Sequence, residues 1–218
     1  SALTWFNALE KLFDGISKIL CIDAWENART GQYSDHLEIA LKSNRVYEAF
    51  LHNAELAPKN VKIDHIRALS ENTLPNLDDA SFDIIYIDGC HYYREAHLDV
   101  LESKRLVSDG GIICGDDLEL SYQEIDTGFA TANRRTDYVK DPKTGIRYHP
   151  GVTLAVNECF GKVAQFRGFW AMQKSGKKFK EVSFKSATGV LPNHFPQNLI
   201  EKINNYFDTS NLLGNLVR

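Results

Sequence analysis

Residues 82–88 (FDIIYID) constrain the fold of this chain more than any other segment. The run is apolar almost throughout and ends in an acid. That pattern suits a strand covered on both faces, which parallel sheets require. Gly89 breaks it, and Tyr92, Ala96, Val100, Leu101 and Val107 then recur at helical spacing over about four turns. Gly110-Gly111 punctuate, and 112–116 (IICGD) forms a second apolar run ending in acid. Strand, helix and strand in this order predict two neighbouring parallel strands joined by a crossover helix.

The rest of the chain continues the alternation. Leu3, Phe6, Leu9, Leu12 and Phe13 mark a helix stopped by Gly15, and 18–23 (KILCID) reads as a strand. Residues 24–32 form a polar loop containing Trp25. Residues 33–56 predict one or two helices ended by Pro58, 61–66 a strand, and 70–79 a short helix and turn. Residues 118–150 are polar with little periodicity, and 152–160 predict a helix. Residues 163–173 and 177–184 predict two strands joined at Ser175-Gly176, a hairpin signal. One amphipathic helix falls near 196–207. The expectation is an α/β fold, Rossmann-like, with a mostly parallel sheet, helices on both faces and a C-terminal antiparallel β-hairpin.

Composition supports one core of ordinary size. The 218 residues are 43% apolar, and 25 basic against 29 acidic residues give a net charge of −4. That balance argues against a nucleic-acid or anionic-membrane partner. No apolar run approaches the ~20 residues of a membrane span. Cys21, Cys90, Cys114 and Cys159 form no CxxC pair and are widely spaced. They predict free thiols and a reducing, cytoplasmic setting; no signal peptide is visible.

Ligands in open α/β sheets bind outside the carboxyl ends of the strands. Three of the four predicted strand ends carry acids: Asp23, Asp88, and Asp116 with Asp117. Asp23 could accept from a ribose diol, or be a helix N-cap or a solvated loop acid. Asp88, Asp116 and Asp117 could converge on a cation, since clustered carboxylates repel without one. Hard oxygen donors suit Mg²⁺. Otherwise Asp88 caps the following helix and Asp117 faces solvent. His91 could be a general base, a metal ligand or a surface residue, and His149 is a weaker candidate of the same kind. GxGxxG, Walker A, GxSxG, HExxH and zinc-ligand spacings are all absent.

Residues 82–117, FDIIYIDGCHYYREAHLDVLESKRLVSDGGIICGDD, resemble the second half of a class I S-adenosylmethionine-dependent methyltransferase. Within that superfamily they are most similar to the metal-dependent O-methyltransferases of the catechol, caffeoyl-CoA and macrolide-sugar types. The resemblance covers roughly residues 1–185. It implies that Asp88, Asp116 and Asp117 hold Mg²⁺ or another divalent cation, and that His91 stands at the base position, where those families usually carry Lys. It also implies that Asp23 binds the cofactor ribose, that Trp25 lies near the adenosine, and that Ala68, Leu69, Ser70 and Asp88 contribute to the cofactor site.

The family's Gly-rich loop normally precedes a helix like the one at the start of this sequence, which predicts that the polypeptide extends upstream. The resemblance implies one methyltransferase-like domain over 1–218, an active-site insert or lid at 118–150 and a C-terminal extension at 186–218. The expected partner is a small-molecule acceptor with a hydroxyl, and self-association stays open. The competing reading is a Rossmann-like module that binds a nucleoside-type ligand or a partner without transferring methyl.

Overall fold

The computed structural model describes residues 2–26, 35–183 and 195–209. The chain divides into two compact units, residues 1–67 with 185–218, and residues 68–184.

In the first unit, helix α1 (Ala2–Leu12) precedes strand β1 (Ser17–Asp23). Helices α2 (Asp35–Lys42) and α3 (Arg45–Glu55) lead to β2 (Val61–Arg67). Of the one or two helices expected over 33–56, two are present from residue 35 on, divided at Asn44, which turns the chain with φ 65°. β1 and β2 pair in parallel, in register from Ser17 with Val61 to Asp23 with Arg67. α1 packs against α3 and β2, and its Phe6 is wholly buried. Helix α8 (Gln197–Thr209) covers the predicted amphipathic stretch near 196–207 and runs two residues further.

The second unit opens with a short helix α4 (Ser70–Thr73) and a 3₁₀ turn at Leu74–Asn76. Strand β3 (Phe82–Ile87), helix α5 (Tyr93–Leu106) and strand β4 (Val107–Leu118) form the predicted crossover. β3 and β4 are neighbours and run parallel. β4 is longer than the apolar run suggested. It begins at Val107 and passes through Gly110-Gly111, which therefore do not end the element. A register shift absorbs them: Phe82 pairs with Val107, but Ile84 pairs with Ile112. Gly110 sits at φ 81°, and a side chain on Gly111 would meet the carbonyl oxygen of Asp83 at 2.8 Å. Both positions call for glycine.

Beyond β4 the chain is not the aperiodic stretch its composition suggested. It forms helix α6 (Thr127–Ala132) and the paired strands β5 (Val139–Lys140) and β6 (Arg147–Tyr148). These elements have a small core of their own, in which Leu120, Ile125, Ala130 and Tyr148 are buried. Asp141 organises the turn between β5 and β6. It is fully buried and accepts from the backbone N–H groups of Asp126, Lys143 and Thr144 and from the Thr144 hydroxyl.

Helix α7 (Pro150–Phe160) follows, with Pro150 in its first turn, where a missing N–H costs nothing. The stretch 163–173 is not one strand. It folds back at Arg167-Gly168 into β7 (Ala164–Phe166) and β8 (Gly168–Ser175). β8 pairs antiparallel with β4, β7 and β9 (Lys178–Glu181), so the sheet order is β3-β4-β8-β7, with β9 also on β8. The Ser175-Gly176 turn is where the sequence placed it, with Gly176 at φ 60°.

Helices α5 and α7 pack together over this sheet. Their shared core holds Ala96, Val100, Val107, Ile113, Leu118, Val152, Ala155, Val156 and Trp170. Burying each of the larger of these side chains stabilises by roughly 1.5–3 kcal/mol before entropy is counted. Among the described residues, no helix is long and apolar enough to cross a membrane.

Candidate active site

The carboxyl ends of β3 and β4 are the chemically richest place in the second unit. Asp88 follows β3 directly, and His91 precedes α5 by two residues. Asp117 is delivered by a β-bulge. Gly115 of β4 pairs with Trp170 and Leu118 pairs with Gly168, so β4 carries one residue more than β8 across this interval. Asp117 takes up the excess in the left-handed region at φ 65°. A bulge of this kind turns a side chain out of the alternation.

His91 is held from both sides. Its Nε2 lies 3.0 Å from Asp117 Oδ2 and its Nδ1 2.7 Å from Asp137 Oδ1. A second imidazole stands beside it, with the His149 ring centroid 4.4 Å from that of His91. His149 Nδ1 lies 2.9 Å from Glu119 Oε1 and 3.6 Å from Asp117 Oδ1. The His149 backbone N–H also donates to Glu119. Asp117 thus faces a histidine through each oxygen.

The charges respond accordingly. Burial alone would pull His91 down, but hydrogen bonding and charge from Asp117 and then Asp137 outweigh it and raise it to about 9. The hydrogen bond from His91 holds Asp117 below the usual carboxylate range; burial opposes this, and the charges of His91 and His149 add to it. Asp88 is raised, first by burial and then by the charges of Asp117 and Asp116. At Asp88 the neighbouring acids add to the effect of burial, whereas at Asp117 the histidines hold the carboxyl down.

Ligand atoms of Asp88, His91 and Asp117 come within 4.8 Å of one another, as do those of His91, Asp137 and His149, and those of Asp117, Glu119 and His149. Asp116, expected as the third oxygen donor, is in none of these groups. Its Oδ1 accepts the backbone N–H of Asp117 and lies 3.3 Å from where a side chain on Gly168 would begin. A cavity of about 20 Å³, with room for about one water molecule or ion, lies among Asp88, His91, Asp116, Asp117, Val152 and Trp170. The Trp170 indole N–H is buried without a partner.

Elsewhere the sequence-derived candidates fall in several settings. Asp23 ends β1 in the first unit, and its Oδ1 accepts the backbone N–H of Trp25 at 2.7 Å. Trp25 is buried, with Tyr47, Phe50 and His65 around its ring. Ala68, Leu69 and Ser70 open the second unit, where Leu69 caps α4 in extended conformation. Ser70 hydrogen-bonds Asp99, a buried acid raised to about 6 mainly by its burial.

The sequence reading missed Glu119 and Asp137. Glu119 lies just past the end of β4, two residues beyond the Asp116-Asp117 pair that drew notice. Asp137 had no local signal, since 46 residues separate it from His91.

Over residues 1–118 the sequence matches the methyltransferase domain family. The chain belongs to that family. The solved structures similar to it include CalS11, a TDP-rhamnose 3'-O-methyltransferase of calicheamicin biosynthesis. It is 16% identical, with 78% of this chain and 66% of CalS11 covered and a TM-score of 0.36. An O-methyltransferase family protein from Burkholderia thailandensis is 12% identical, with 80% and 56% covered and a TM-score of 0.40. The O-methyltransferase from Bacillus cereus, solved in complex with SAH, is 16% identical, with 72% and 66% covered and a TM-score of 0.33. This methyltransferase-family chain therefore spans less than two thirds of the length of those first relatives. No curated protein matches it by sequence.

Proposed function

We propose that this domain transfers a methyl group from S-adenosylmethionine to a hydroxyl of a small polar molecule or sugar. The observation that carries the reading is the cluster of Asp88, His91 and Asp117 at the carboxyl ends of two parallel strands, in a chain of the methyltransferase family. In the reaction the acceptor oxygen attacks the sulfonium methyl in line. The new O–C bond forms as the S–C bond breaks, and its electron pair stays on sulfur to give S-adenosylhomocysteine. His91 Nε2 takes the hydroxyl proton, and Asp137 on Nδ1 fixes the ring's orientation. Nε2 must first part from Asp117.

The residues present fit a divalent cation, since acids with one raised carboxyl sit together there. Asp88 and Asp117 would hold it, with Asp116 nearby. Such an ion would lower the pKa of the acceptor hydroxyl. On this reading Asp23, whose Oδ1 accepts the Trp25 N–H, takes the cofactor ribose, and in the second unit Ala68, Leu69, Ser70 and Asp88 are the candidate cofactor contacts. The segment 118–150, with Tyr122, Arg134, Arg135, Tyr138 and Arg147, shapes the acceptor pocket.

Transfer of tritium from labelled S-adenosylmethionine to hydroxylated acceptors, with and without EDTA, tests the proposal. Transfer that EDTA abolishes supports the metal-assisted form. Cofactor binding without transfer to any acceptor would leave a binding module instead. For the cofactor contact, Asp23→Ala should weaken binding by about 1.5–3 kcal/mol, the scale of a charge-assisted hydrogen bond. Unchanged affinity by calorimetry removes Asp23 from the site.

A further inference from the structure

The outer side of the β5–β6 pair leads away from the catalytic cluster. Side chains alternate along a strand, so residues two apart share a face. Val139 pairs with Tyr148, and Lys140 with Arg147. Tyr148 is buried in the core of the insert and Val139 packs against that core. Lys140 and Arg147 therefore point the other way, side by side and exposed. Tyr138 and His149 are the next positions on that side. The ring contacts agree: the His149 centroid lies 4.7 Å from that of Tyr138, and the Arg147 guanidinium 5.8 Å from the Tyr138 ring. His149 in turn touches His91. One face thus runs from His91 past His149 and Tyr138 to two cations about 7 Å further along the strands.

Like charges directly opposite one another in an antiparallel pair destabilise it. The acids nearest in sequence are committed elsewhere, Asp137 to His91 and Asp141 to backbone N–H groups inside the turn. Among the described residues, neither Lys140 nor Arg147 has a carboxylate at ion-pair distance. We propose that Lys140 and Arg147 bind a phosphoryl or diphosphoryl group of the acceptor, so that the substrate is a phosphorylated, hydroxyl-bearing small molecule. A guanidinium matches phosphate oxygens with two parallel hydrogen bonds, and the lysine adds a point charge. Tyr138 flanks the part of the acceptor between that group and the reacting hydroxyl, a separation one sugar ring can span. Acids crowd the His91 end of the face and cations the other, which disfavours the reverse orientation. The proposal rests on the methyl-transfer reading for the use made of the ligand, but its test reads binding apart from turnover.

Pyrophosphate binding to the full chain is followed by calorimetry at low salt, with malonate, a dicarboxylate, for comparison. The expected result is binding of pyrophosphate in preference to malonate, weakened about tenfold or more by Arg147→Gln and lost in Lys140→Glu. Lys140→Glu should at the same time raise the urea midpoint, because an opposite-charge pair replaces a like-charge one. A lysine with a merely structural role would lower both. No binding, equal binding of malonate, affinity unchanged in both variants, or a lower urea midpoint in Lys140→Glu overturns the assignment. Tritium transfer separates the two claims. The preference in kcat/KM for a phosphorylated sugar over its dephosphorylated counterpart should collapse in Arg147→Gln. Pyrophosphate binding that depends on Arg147, without transfer to any acceptor, sinks the function and leaves the anion site; transfer with no preference for the phosphorylated sugar leaves the function and overturns the substrate class.

Discussion

An imidazole gripped by a carboxylate at each nitrogen donates twice and accepts nothing. That is the position of His91 between Asp117 and Asp137, and it changes what the residue alone suggested. A lone histidine predicts a rate limb near neutrality. The raised value of about 9 moves that limb upward, so turnover should climb with pH through about 9 as the neutral ring appears. His91→Ala should lower turnover by ~10²–10⁴-fold and abolish this limb. Identical limbs in both proteins would remove His91 from proton transfer. Asp137→Ala should cost turnover more than Asp137→Asn, because the amide oxygen can still accept from Nδ1, and KM should barely change in either. A larger loss in KM than in kcat would make Asp137 a substrate contact. At this scale the sequence marked Asp88, His91 and Asp117 because acids and a base at strand ends are local patterns. It missed Asp137 because nothing near residue 137 reports what lies 46 positions earlier.

Elements deliver these residues through a few close contacts. The start of α7 presses on the backbone at the site, and a side chain on Gly151 would begin 2.2 Å from the carbonyl oxygen of His91 and 2.5 Å from the Tyr93 nitrogen. Backbone cannot yield as a side-chain tip can. Gly151→Ala should therefore destabilise by about 1–3 kcal/mol in urea unfolding and depress turnover by displacing His91. Full stability with full activity would show that α7 can shift freely.

The insert depends on Asp141. Burial opposes its charge, but the N–H groups of Asp126, Thr144 and Lys143 and the Thr144 hydroxyl hold the carboxyl below its ordinary range. Asp141→Ala strands these donors in a buried place and should cost roughly 3 kcal/mol; a loss within error would mean the turn forms without it. Strand and helix order was legible in hydrophobic periodicity. The core of 118–150 was not, because its apolar residues are few and irregularly spaced, and only their meeting in space makes them a core.

Across the whole molecule, pH should act on stability through the same histidine. The folded value of His91 lies above its ordinary 6.5. Its contribution is therefore complete below about 6.5 and is lost as pH rises through about 9. Asp117 is lowered, so its contribution is present above the ordinary carboxylate value and fades as pH falls toward the folded one. Unfolding free energy of the second unit should fall on both sides of mildly acidic pH, and His91→Gln should flatten the alkaline side. An unchanged alkaline slope assigns that loss to other groups. At this scale the sequence conveyed the parallel pairing of β3 with β4, because both strands read as two-sided apolar runs. It did not convey the fold-back of 163–173. Val163, Ala164 and Phe166 look continuous with the strand after them, and the turn at Arg167-Gly168 rests on backbone angles, with φ 51° and 92°.

The one-residue surplus in β4 opposite β8 sets limits on how the gene can change. Between Cys114 and Leu118 the ladder skips a position, and that skip decides which of two adjacent aspartates meets the histidines. A single-codon deletion there would restore regular pairing while keeping an aspartate in the sequence. Composition and hydropathy would hardly register it, yet the remaining carboxylate would return to ordinary alternation. Substitution can grade this site, whereas a length change throws it as a switch. Homologous chains that differ by one residue in this stretch should therefore differ in chemistry even where every acid and histidine can still be aligned.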